Sequence, residues 1–149
     1  MLNAALVALL TVFQSSTTPQ PSTPTEPELK GQVCTARELV GTWEFTGKSR
    51  VPGTTRVLKH FTPTHYFVLR MGDKDVVLSG QGGPHKVAAD GTYSTTMEHG
   101  FGEVFEQYRG ASLTLQCRIN GDIWHIVGEH KDVKLNEQWR RVTGTSGQR

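Results

Sequence analysis

The stretch Glu38-Leu39-Val40-Gly41-Thr42-Trp43-Glu44-Phe45 opens the patterned part of the chain, and Glu137-Gln138-Trp139-Arg140-Arg141-Val142 closes it. In the first, Trp43 and Phe45 alternate with Thr42 and Glu44. In the second, Glu137, Trp139 and Arg141 share one parity. A period of two sets such residues on one face of a strand. First and last strands are neighbours in a closed antiparallel barrel, so Trp43 beside Gly41 can meet an arginine of the last strand and seal one end, Arg141 or Arg140, with parity favouring Arg141.

Working outward from these two runs, the period stays at two. Leu113, Leu115, Cys117 and Ile119 alternate with Thr114, Gln116 and Arg118. Turn formers recur at short spacing: Val51-Pro52-Gly53, Thr62-Pro63-Thr64, Met71-Gly72-Asp73, Gly82-Gly83-Pro84, Asp90-Gly91, Gly100-Phe101-Gly102 and Asn120-Gly121-Asp122. Frequent turns between short alternating runs predict an all-β meander. The expected fold is an eight- to nine-stranded antiparallel up-and-down barrel. Its strands fall near residues 42–49, 55–61, 65–71, 75–81, 86–89, 92–99, 112–119, 122–130 and 133–142. Asn120-Gly121 predicts a type I′ hairpin turn. Thr35 and Glu38 have the spacing of a capping box, which predicts a short helix over 35–40 covering one barrel end. Residues 103–109 fit either a helical turn or continued strand.

The ends read differently. Residues 4–13 are apolar but too short for the roughly 20 residues that cross a bilayer, so 1–16 are read as a signal peptide, without stable membrane insertion after its removal. Eleven of the thirteen residues from Ser15 to Pro27 are Ser, Thr or Pro. Such a composition buries too little apolar surface to fold, so 17–30 are read as a disordered tether. The barrel is assigned to 31–143 and a flexible tail to 144–149. With 16 Lys and Arg against 14 Asp and Glu, and no block of either sign, no nucleic-acid partner is indicated. The two cysteines, Cys34 and Cys117, are an even pair in a chain expected to be secreted or periplasmic. A disulfide pinning the pre-helix segment to a strand is expected, with a buried free Cys117 as the alternative.

Several of these segments together resemble the lipocalin-like barrels of uncharacterised secreted bacterial proteins, within the wider calycin group. They are Glu38 to Trp43, Lys59 to Phe67, Gly91-Thr92-Tyr93, Gly121 to His125 and Glu137 to Val142. The resemblance implies a small barrel around a ligand cavity, and it carries no catalytic residues with it.

An eight-stranded barrel has room for side chains or one small ligand. The residues expected at that ligand are Trp43, His65, Phe67, Tyr93, Met97, Trp124, Glu137 and Trp139, with Gly41 and Arg141 in structural roles. For Trp43 a structural plug and a ligand contact are both open. His65, on the face assigned to Phe67 and Leu69, is open between a polar ligand contact and a cap on the Thr62-Pro63-Thr64 turn. Glu137 is expected inside beside Trp139 and paired with Arg141 or a tyrosine. His60 with His65, and His125 with His130, are five apart, which sends each pair to opposite strand faces. No metal or other cofactor is expected, a cross-strand set of His65, His99 and Glu137 being the one alternative. The main expectation is an exported barrel that binds a small hydrophobic or amphipathic molecule with one polar group. Alternatives are an isomerase- or cyclase-type enzyme on the same barrel, or a filled barrel acting as an inhibitor or interaction module on a protein partner that the sequence does not name.

Overall fold

The computed structural model describes Leu29 and residues 31–144, so the segments read as signal peptide and, Leu29 apart, tether, and the tail beyond Gly144, lie outside the described residues. The chain begins with a two-residue strand, β1 (Gln32–Val33), and a one-turn helix, α1 (Ala36–Leu39). Strands β2 (Gly41–Phe45), β3 (Arg56–Phe61), β4 (His65–Met71), β5 (Val77–Val87) and β6 (Thr92–Thr96) follow. After a short β7 (His99–Phe101) and a helix α2 (Glu103–Tyr108) come β8 (Ser112–Asn120), β9 (Ile123–His130) and β10 (Val133–Arg141).

Eight of these strands close into one antiparallel barrel. Each pairs with the next along the chain, β6 joins β8, and β10 returns to β2 with Arg141 opposite Trp43. Two strands stand outside the ring: β1 on β8, and β7 on β5. Closure leaves no free edge in the ring itself, which is how such barrels avoid edge-to-edge association.

The end beneath α1 is sealed as the sequence predicts. Thr35 accepts from the Glu38 amide and the Glu38 carboxylate accepts from the Thr35 amide, so both halves of the capping box form. The Trp43 indole donates to the Leu39 carbonyl at 2.8 Å, tying helix to barrel. The Arg141 guanidinium lies 4.2 Å over the Trp43 ring and donates to the carbonyls of Glu38 and Val40 at 2.6 and 2.9 Å. Three helix-end and loop groups are thereby satisfied by two side chains. Gly41 has φ +124°, and a Cβ there would stand 3.1 Å from the Arg141 guanidinium, so glycine serves both the turn and the stack. The Cys34–Cys117 disulfide is buried at this end, with Cα atoms 5.8 Å apart, and fastens the segment before α1 to β8.

Three local expectations are corrected. Gly82-Gly83-Pro84 makes no turn: the runs expected at 75–81 and 86–89 are one continuous strand, β5. The glycines there make room rather than bends. A Cβ on Gly80 would stand 2.7 Å from the Phe101 ring and one on Gly82 would stand 2.7 Å from the Phe67 ring. The 120–123 hairpin has Gly121 and Asp122 as its central pair, with Asn120 opposite Ile123. Only Gly121 has positive φ, the pattern of a II′ turn instead of I′. The I′ pattern occurs one hairpin later, where Lys131 and Asp132 have φ +48° and +64°. Finally, the expected strand 92–99 breaks at Met97-Glu98, and residues 103–108 resolve as helix α2.

Candidate functional site

The barrel interior divides into a filled lower half and an open upper half. Trp43, Phe61, Tyr93, Trp124 and Trp139 form the filled part, with ring centroids 5.3 to 6.0 Å apart and mostly tilted or edge-on. Such pairs add about 0.5–1.5 kcal/mol each beyond the area they bury. Above them lies a cavity of about 540 Å³. Val57, Val68, Leu113, Leu115, Ile126 and Leu135 supply its apolar wall, and Tyr93, Trp139 and Met97 complete it. Its mouth lies between the 47–51 loop, α2 and the 130–133 turn.

Polar groups are concentrated inside this apolar wall. Lys59 is only 8% exposed, and its ammonium sits 4.4 Å over the Trp139 ring, 4.9 Å over Trp124 and 6.0 Å from the centre of Tyr93. It therefore rests on the aromatic layer as the floor of the cavity. Among the described residues nothing accepts a hydrogen bond from it. Desolvation by burial lowers its pKa to about 8, with the Glu137 charge opposing and the Arg70 charge adding to the fall. Arg70 also faces inward, donates to the Gln81 side-chain oxygen at 3.0 Å, and is likewise lowered by burial. Glu137 lines the cavity and accepts from the Trp139 indole at 3.1 Å. Tyr66 and Tyr93 are both raised by burial, and the Tyr93 hydroxyl has no partner among the described residues.

The Lys59 shift has a stability consequence with a definite sign. Its folded-state value is about 8, whereas the unfolded side chain stays protonated up to about 10.4. Between these values the unfolded state binds the extra proton, so stability rises with pH through the window, by on the order of 3 kcal/mol over its whole width. Tyr66 and Tyr93 act in the opposite sense above about pH 10, because there the folded state holds protons that the unfolded state has lost. Denaturant midpoints measured from pH 7 to 10 are therefore expected to climb for the native protein and to stay flat for Lys59→Met. A flat native profile would contradict a buried, unneutralised ammonium at this position.

Of the residues expected at a ligand, Tyr93, Met97, Glu137 and Trp139 do line the cavity. Trp43 and Trp124 do not; both are fully buried in the layer below, so for Trp43 the plug is the reading that holds. His65 and Phe67 are on the wrong face. Phe61 pairs directly with Tyr66, and directly opposed residues share a face, so Tyr66, Val68 and Arg70 point inward while His65, Phe67 and Leu69 point out. The His65 ring contacts the Thr64 hydroxyl at 2.9 Å and its amide is held by the Thr62 hydroxyl, which is the turn-cap reading. Phe67, 37% exposed, lies in an outer groove against Gly82 with His60, His65 and His99. The set His65, His99 and Glu137 is therefore split between outside and inside, and no group of three ligating side chains occurs among the described residues. Glu137 is also not paired with Arg141, because Trp139 stands between them on the same face and Arg141 is committed to the sealed end.

Sequence reasoning missed Lys59, Arg70 and Gln81. Lys59 carried a usable signal: it shares parity with Val57 and Phe61, an inward cation between two core residues. No protein-family model matches the chain, and no curated protein matches it in sequence.

Proposed function

We propose that this chain is an exported, lipocalin-like binding barrel for a small, largely apolar molecule carrying one polar group. The observation that carries the reading is the half-filled interior. An aromatic layer closes the barrel below, and a cavity of about 540 Å³ that combines an apolar wall with grouped charged and polar side chains remains above it. Pockets of this size and character are those that hold drug-sized ligands. The buried disulfide suits an oxidising compartment, and the alternating architecture with its Trp43–Arg141 floor suits the calycin likeness. The filled-barrel alternative describes only the lower half.

Native mass spectrometry of the protein purified from a lipid-rich expression host tests this reading. A stoichiometric small-molecule adduct that disappears on unfolding is the expected result, and narrowing the cavity with Leu113→Trp should remove it. Phe67→Arg, on the outer face, should leave it in place. An apo mass that persists after soaking with a panel of amphiphiles would overturn the binding reading.

A further inference from the structure

Two observations bear on the chemistry of the occupant. The first is Lys59. Its ammonium rests against three aromatic rings, which attract a cation, but it has no hydrogen-bond acceptor among the described residues. The π faces lie on one side of it and the cavity on the other. The second is the charge of the whole lining. Lys48, Arg50, Lys59, Arg70 and Lys131 border the cavity against one carboxylate, Glu137, although the chain as a whole is nearly balanced at 16 cations to 14 anions. Neither Lys59 nor Arg70 forms an ion pair with any carboxylate of the described residues.

Resting on the binding-barrel reading, we infer that the ligand is an amphipathic anion with a single carboxylate head and an apolar body. Its head is seated on Lys59 within reach of Arg70, and its body runs up between Leu113, Leu115 and Leu135 toward the mouth. One negative charge neutralises the excess of two inner cations over Glu137 and supplies the missing acceptor. Charge-assisted hydrogen bonds of this kind are the strong ones, and in a water-poor site they discriminate more than they would in solution. Lys48, Arg50 and Lys131 at the mouth add a positive field that draws an anion in, an effect that weakens with salt. A cationic amphiphile would be repelled by this field, and a neutral one would leave the Lys59 ammonium without an anionic acceptor.

The test is a calorimetric titration of the full chain at pH 7 with three probes sharing one tail: dodecanoate, dodecanol and dodecylamine. Dodecanoate is expected to bind at least tenfold more tightly than dodecanol, with dodecylamine weakest. Lys59→Met is expected to bring dodecanoate and dodecanol within about threefold of each other. Removal of a buried charge should leave that variant at least as stable as the native protein in a thermal melt, which separates lost recognition from misfolding. Arg70→Gln should weaken dodecanoate and spare dodecanol. Equal binding of acid and alcohol, or a preference for the amine, would overturn the anionic inference while leaving a binding barrel in place. Failure of all three probes would overturn both.

Discussion

Removing the Cys34–Cys117 disulfide is expected to cost about 4–5 kcal/mol, the largest single loss in the molecule, because cross-linking positions this far apart strongly restricts the unfolded chain. The bridge spans a sequence separation of 83, enclosing α1, the five barrel strands β2 to β6, α2 and the start of β8, and it lies at the sealed end with both residues fully buried. Typical domains are stable by only about 5–15 kcal/mol, so a loss of this size takes much of the margin. The measurement is a urea transition on the native protein with and without reductant, repeated on the double variant Cys34→Ala, Cys117→Ala. Both treatments should lower the midpoint to the same extent, and adding reductant to the double variant should change nothing. A midpoint indifferent to reductant would show that the bridge does not constrain the chain.

Trp43→Ala is expected to destabilise by about 3–5 kcal/mol, in the range of large buried aromatics replaced by a methyl group. Three losses coincide at this position. The cavity opens beneath Trp124, the Leu39 carbonyl loses its indole donor, and the Arg141 guanidinium loses the ring on which it stacks. Trp43→Phe separates them: it keeps most of the packing but no donor, so a smaller loss of about 1–3 kcal/mol is expected from the orphaned carbonyl and the reduced ring. Arg141→Met tests the stack from the other side. Denaturant unfolding of the three variants, followed by the remaining tryptophans, gives the ordering. If Trp43→Ala were no worse than Arg141→Met, the indole would not be the keystone of this end. Trp43 and Cys117 belong to one contiguous apolar cluster, so the Trp43 and disulfide losses are not expected to add when combined.

What could be read from the sequence and what could not follows from how strongly each strand is patterned. β10 alternates cleanly, with Glu137, Trp139 and Arg141 inward, so parity favoured Arg141 over Arg140 as the partner of Trp43. The capping box depends on a local spacing of three residues and was equally legible. β4 is different: His65-Tyr66-Phe67-Val68-Leu69-Arg70-Met71 has apolar residues on both faces and a cation on the inner one. Phe67 is tolerated outside because β5 presents glycine beside it, a dependence between two strands that neither strand reveals alone. The same glycines looked like a turn for the same reason. Lys59 and Arg70 were passed over because a charged residue ordinarily marks the solvent face, and only closure of the ring shows that these two turn toward the barrel interior.

A crystal structure of the protein with dodecanoate would decide most directly whether the open half of the barrel is a binding site. The predicted result is the ligand inside the cavity, its carboxylate in hydrogen-bond contact with the Lys59 ammonium at about 2.7–2.9 Å and its tail among the leucines of β8 and β10. An interior holding only water, with the ligand bound in the outer groove beside Phe67 and His65, would contradict it.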